Sequence, residues 1–229
     1  MLPVFTAVRS SVGKKILMAG TALSLVLFVT THLLGNLKLL SRDSVSFNRY
    51  AHKLESLGGL LYLAETGLLL LFLAHITIAI SIFLTTRKAR PVGYYMHRHM
   101  GKAGYNFFGS TTMIYTGVAV LIFLVIHLIH FKFGPGVKDG YIKEIDGESV
   151  RDLHRLVIES FQSFWYVSFY VISISLLGIH LSHGVWSAFQ SLGASHPRYT
   201  PLIFGSGILI ALTLSLGFLS LPVLIYFIW

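Results

Sequence analysis

Five long apolar runs, at about 14–38, 57–85, 107–131, 162–188 and 202–229, take up most of this 229-residue chain. Crossing the hydrocarbon core of a bilayer, about 30 Å thick, takes roughly 20 apolar residues of α-helix. Inside that core no water completes backbone hydrogen bonds, so a spanning segment must close them internally. The runs therefore predict an all-α fold: an integral membrane bundle of five transmembrane helices, a single domain over 1–229. The first run follows Arg9, Lys14 and Lys15 as a secretory signal would. It is too long for such a signal and no small-residue cleavage site follows it, so it is expected to be a retained helix.

Composition removes several functional classes. The chain has no cysteine, which excludes structural disulfides, thiolate–metal centres, iron–sulfur clusters and covalently attached c-type haem within it. Any metal must be held by histidine, by carboxylates or by a cofactor. A net charge of +9 would elsewhere suggest nucleic acid, but no soluble basic domain is left to bind it. Membrane topology accounts for the charge better, and the expected partner is the lipid bilayer. With a cytoplasmic N-terminus, the inner segments 1–15, 86–106 and 189–201 hold nine Lys and Arg and no acid. The outer segments, about 38–56 and 132–161, hold nine basic and eight acidic residues. On Lys and Arg alone the two sides tie; the inner basics are denser per residue, which favours this orientation.

Four of the five runs carry a histidine in their later part: His32, His75, His127 and His180. An ionisable residue within a membrane helix is costly and marks function. Helices one and three run outward, placing His32 and His127 in the outer half. Helices two and four run inward, placing His75 and His180 in the inner half. Two imidazoles facing each other at one depth are what six-coordinate haem iron requires, and haem b is held without covalent attachment. Gly20, Gly67, Gly117 and Gly178 would let a flat macrocycle approach the backbone, or would serve ordinary helix packing.

Two of these helices offer a second histidine three residues on, His130 after His127 and His183 after His180, on nearly the same face. Depth within the apolar run favours His127 and His180 as ligands. His130 and His183 then fall to propionate or quinone contacts, or to the interface. His97, His99, His154 and His196 lie in polar segments and His52 in the first outer loop, so all five are expected at the surface. The mixed-charge stretch 132–161 reads as a solvated external cap, with a sharp exit from helix three at Gly134-Pro135-Gly136. Pro222 is expected to kink the fifth helix, which carries no histidine or charge and reads as packing scaffold.

Three stretches carry a wider likeness: Thr31-His32-Leu33 followed by Phe47-Asn48-Arg49-Tyr50-Ala51-His52; Thr116-Gly117 with His127 ten residues beyond; and His180-Leu181-Ser182-His183-Gly184-Val185-Trp186-Ser187. In order and spacing, with His75 between them, they resemble the five-helix, di-haem cytochrome b subunit of succinate:menaquinone oxidoreductases and of the related fumarate reductases. The resemblance runs from about residue 14 to the end. It implies that His32 and His127 ligate the outer (distal) haem b, and His75 and His180 the inner (proximal) one. It also implies an iron–sulfur subunit and a flavoprotein with covalent FAD docked on the cytoplasmic face of a bacterial inner membrane. Segment 86–106, with Tyr94, Tyr95, His97, Arg98 and His99, is a plausible part of that dock, and equally a binding surface for anionic lipid.

The implied reaction passes electrons from succinate oxidation through iron–sulfur clusters and the two haems to a quinone, with the di-haem pattern leaning toward menaquinone. Outer candidates for the quinone and its protons are Arg49, His52, Lys53, Glu55 and Glu65, the last being the only carboxylate within an apolar run. Inner rivals are Ser10, Ser11, Lys14 and Lys15. Quinol:fumarate chemistry is the alternative within the family. A two-haem ferric or ascorbate reductase would place two ligands on one helix, unlike the single buried level per helix here. A histidine-based proton or metal transporter is the alternative from another class.

Overall fold

A computed structural model of the chain describes residues 10–41, 43–89, 109–194 and 196–229, with only the backbone of 109–111. Arg9, Arg42, Arg90, Lys102 and the expected docking residues Tyr94, Tyr95, His97, Arg98 and His99 lie outside the described residues.

The described chain is mostly helical. The helices are α1 (Ser11–Asn36), α2 (Ser44–Glu55), α3 (Gly59–Ala89), α4 (Gly109–His127), α5 (Leu153–Ser160), α6 (Phe164–Ser191) and α7 (Thr200–Ile228), with a two-stranded hairpin, β1 (Ile142–Ile145) and β2 (Glu148–Arg151). Five of them, α1, α3, α4, α6 and α7, give stretches long and apolar enough to cross a membrane, as expected of a multi-pass membrane protein. Their ends differ from the apolar runs by a few residues, reaching into the polar flank at Ser11, Ala89 and Ser191 and stopping short at Asn36, Gly59 and Phe164. None of the most apolar stretch of α3 is buried by the rest of the protein. Its apolar side chains Leu63, Leu69, Leu70 and Ile80 are exposed, a surface that suits lipid as its solvent.

The described residues fall into two compact units, the first within Met1–Phe28, Thr66–Thr116 and Ile179–Leu212, the second within Val29–Glu65, Gly117–Gly178 and Thr213–Trp229. In the first unit α7 packs on α6 at Gly207, where a Cβ would lie 3.3 Å from the Trp186 backbone nitrogen, and the Trp186 and Phe204 rings meet at 5.5 Å. In the second, Gly217 of α7 lies so close to α1 that a Cβ would fall 2.6 Å from Leu33 Cδ2. Gly178, expected as a macrocycle contact or a packing position, packs against the Ser215 side chain of α7. Buried Leu214, Leu221, Pro222 and Ile225 make α7 the most covered of the five spans, in keeping with a scaffold role.

The second unit also contains what the sequence presents as polar connections, and both are structured. The polar gap after α1 is a 3-10 turn (Leu37–Leu40) followed by α2, whose N-cap Asp43 accepts the Val45 N–H at 2.9 Å. The stretch 132–161, expected as a solvated external cap, is exposed over most of 132–149 and also carries secondary structure and a small core of its own. Its hairpin turns at Asp146 (φ 55°) and Gly147 (φ 84°), a two-residue loop with both residues left-handed, matching the twist of paired strands. Ile145, Val150, Leu156, Val157 and Phe161 are buried. Leu39 and Phe47 join Val157, Phe161, Tyr170, Leu221 and Ile225 in one apolar cluster, so α2 and α5 pack over α6 and α7.

Asn48, on α2 and 0% exposed, joins α2 to α5. Its Nδ2 donates to Asp152 Oδ1 at 2.7 Å, and its Oδ1 accepts the His154 N–H at 2.8 Å. Asp152 Oδ1 also caps α5 by accepting the Arg155 N–H at 3.0 Å. Asn48→Ala leaves the buried His154 N–H without its acceptor and takes from Asp152 Oδ1 one of its two hydrogen bonds. Each unsatisfied group costs about 1–3 kcal/mol. Limited proteolysis should therefore cut the Asn48→Ala variant within 132–161 under conditions that leave the wild type intact, with the spanning helices unaffected.

Candidate functional site

The four intramembrane histidines come together as two couples, one in each unit. His75 of α3 faces His180 of α6 in the first, with ring centroids 6.5 Å apart and planes at 66°. His32 of α1 faces His127 of α4 in the second, at 5.9 Å and 86°. Two metal–imidazole bonds of about 2 Å end to end, plus two half-rings, span about 6 Å. That is the ring separation at which one metal ion fits between two facing ring nitrogens. Two imidazoles alone do not complete a coordination sphere, so such an ion would bring further ligands with it.

Contacts to Nδ1 are seen at His75, His180 and His127. His75 Nδ1 lies 3.2 Å from Thr21 Oγ1 of α1, and His180 Nδ1 lies 3.1 Å from Thr116 Oγ1 of α4. Both threonine hydroxyls also lie within reach of carbonyls of their own helix, Leu17 and Met18 for Thr21, Thr112 and Met113 for Thr116. His127 Nδ1 lies 3.0 Å from the buried Tyr170 hydroxyl, and Tyr166 donates to that same hydroxyl at 3.3 Å. Phe123 and Phe131 flank His127, and Phe218 lies by His32. Cβ atoms at Gly20 and Gly67 would meet nothing within 4 Å, which leaves these backbones of the first unit open to a flat group or a lipid chain.

The doublet partners sit differently. Beyond His127 the helix widens into a π turn, Leu128–Lys132, closed by Phe133 N–H to Leu128 C=O at 2.9 Å. Such turns recur at functional sites. His130 stacks near Tyr166 at 4.8 Å and its Nε2 lies 2.8 Å from Ser160 Oγ. That hydroxyl gives its one proton to the Leu156 carbonyl at 2.5 Å, so His130 Nε2–H is the donor. His130 thereby ties the π turn to α5. His183 is half-buried on α6, one turn from His180.

Of the expected quinone residues, Glu65 pairs with Lys132, joining α3 to the π turn. A cavity of about 330 Å³ beside this pair is lined by Glu55, Gly58, Leu61, Tyr62 and Lys132. Arg49 and His52 are engaged elsewhere. Arg49 grips Asp146 through two bonds of 2.9 and 3.0 Å, and His52 pairs with Glu148 at 3.0 Å, so both fasten the hairpin to α2. Lys53 is exposed. Among the inner rivals Ser11 and Lys15 are exposed and Lys14 is half-buried at the start of α1.

One histidine contradicts its expected place. His154 is buried, 8% exposed, against the Phe47 ring, and its Nε2 has no hydrogen-bond partner among the described residues. Its polar sequence neighbours suggest a surface position, but Asn48 draws its backbone inward. Burial lowers its pKa below 6.5; Asp152 and Asp43 act against that shift and Lys143 adds to it. Arg151, which donates to the Pro135 carbonyl at 2.9 Å, is also lowered by partial burial, opposed by Glu55 and Asp139. At the exposed rim, hydrogen bonds from Tyr141 and Arg155 hold the Glu159 carboxyl below its usual range, and the same contact raises Tyr141. No known protein family, characterised protein or solved structure matches this chain.

The shift at His154 sets a pH dependence for the cap. The unfolded cap binds its His154 proton at about pH 6.5, the folded cap only at a lower pH. The stabilising contribution is therefore complete above pH 6.5 and is lost as pH falls from there toward the folded value. Proteolysis of 132–161 should accelerate as pH drops below 6.5, and His154→Phe, which removes the orphaned nitrogen, should flatten that dependence.

Proposed function

We propose that the chain is a di-haem cytochrome b that anchors a succinate:menaquinone oxidoreductase to a bacterial inner membrane, its N-terminus cytoplasmic. The observation that carries this reading is the coupling of four intramembrane histidines into two facing pairs. The likeness of the segments around them to the family's cytochrome b subunit supports it. His32 and His127 would hold one haem b, His75 and His180 the other. A haem held by two histidines supplies reversible one-electron transfer. The donor set fits: all four are neutral-imidazole ligands in apolar surroundings. In His75, His180 and His127 Nδ1 is engaged, which leaves Nε2 for a metal. An iron–sulfur subunit and an FAD flavoprotein would dock on the cytoplasmic side and deliver the electrons.

The residues beside Lys132 suit the other half of the reaction. Reducing a quinone to a quinol takes up two electrons and two protons. The cavity lined by Glu55, Tyr62 and Lys132 offers hydrogen-bond donors for a quinone oxygen, and Glu65 and Glu55 are the carboxylates that would pass protons. Its size lies within the usual range for small-molecule sites. His52, paired with Glu148, contributes here by holding the cap in place.

Reduced-minus-oxidised spectra of the purified protein should show b-type bands from two haems per chain; a colourless protein would instead fit a histidine-based transporter. Replacing His32 or His127 by Ala should remove one haem, and replacing His75 or His180 the other, while His130→Ala and His183→Ala retain both. Loss of a haem on changing His183 but not His180 would overturn the ligand assignment. Glu65→Gln should slow quinone reduction about a hundredfold or more, in line with general acid–base contributions of roughly 10²–10⁴, with both haems kept. Unchanged turnover would remove Glu65 from the proton path.

A further inference from the structure

Two threonines in the first unit repeat one arrangement. Thr21 of α1 faces His75 of the next span, α3; Thr116 of α4 faces His180 of the next span, α6. A hydroxyl has one proton to give. In each threonine it has a place to go along its own helix, since Oγ1 lies 3.0 Å from both the Leu17 and Met18 carbonyls in one case and 3.1 and 3.2 Å from those of Thr112 and Met113 in the other. Oγ1 is then left as acceptor, and the proton between threonine and histidine belongs to Nδ1. That assignment fixes the tautomer. Nδ1 carries the hydrogen, and Nε2 carries the lone pair a metal needs. The bond also stops the ring from rotating about its side chain.

We propose that Thr21 and Thr116 are positioning residues that set the orientation, tautomer and donor strength of His75 and His180. The inference rests on the haem reading above and deepens it. An acceptor on Nδ1–H makes an imidazole a stronger donor through Nε2, and a stronger donor favours ferric over ferrous iron. The His32–His127 pair has a different environment: His127 Nδ1 meets a phenol that is itself hydrogen-bonded to a second phenol. The two haems therefore have differently tuned ligands within one short chain.

The test uses the full chain in its native complex, with Thr21→Val, Thr116→Val and the corresponding serine variants, read by haem content and by redox titration of the optical bands. Each valine variant should shift the haem that His75 and His180 hold toward the ferrous form by about tenfold in equilibrium constant, roughly 59 mV for one electron, and leave the other haem unmoved. Serine, which keeps the hydroxyl, should restore the wild-type midpoint. Complete loss of that haem in a valine variant, with retention in its serine counterpart, supports the assignment equally. An unmoved midpoint in both valine variants overturns it, as do serine variants that behave like valine. Absence of b-type bands in the wild type would overturn the haem reading itself, before either threonine is changed.

Discussion

An imidazole in hydrocarbon must find a partner for its polar nitrogens, since a buried polar group left alone costs about 1–3 kcal/mol. The spanning helices of this chain meet that demand with hydroxyls. Thr21 and Thr116 can do so at no expense to their own helices, because each oxygen can accept from a histidine while donating to backbone carbonyls. Placing a threonine against a histidine on the following span fixes the rotation and depth of both helices. In the first unit that register goes with the close approach of His75 and His180, whereas His127 of the second unit meets a phenol instead.

The cap obeys the same rule in a different medium. Its strands are four residues long and α5 has eight, too short to be stable alone. Their order comes from a buried amide, Asn48, and from a small apolar cluster shared with α6 and α7. The surface pairs Arg49–Asp146 and His52–Glu148 lie in water, where such pairs contribute about 0–1 kcal/mol. They align the hairpin on α2 more than they stabilise it.

The five spans are legible in the sequence because length and hydropathy alone define them, and the histidine pairing because depth can be counted along a helix. What escaped depends on contacts between distant parts of the chain. Helix α2 is mixed in composition, and only the burial of Phe47 and Asn48 against the cap shows it to be part of a core. The hairpin does leave a local mark, Asp146-Gly147 flanked by Ile145 and Val150, but its strands are too short to display an alternating pattern. His154 is drawn inward by a side chain 106 residues away. Thr21 and Thr116 look like the other threonines of the spans, because helix rotation, which hydropathy does not encode, decides which hydroxyl meets a ring.

The π turn at Leu128–Lys132 separates two duties that a regular helix would force into one register. Up to His127 the helix keeps step with its couple inside the hydrophobic layer. From His130 onward it answers to Ser160 and Glu65. A wider turn absorbs the mismatch, so the rim can drift in sequence, lengthen or trade contacts without dragging the buried histidine out of line. Evolution can thus rework the mouth of this protein while its interior stays still.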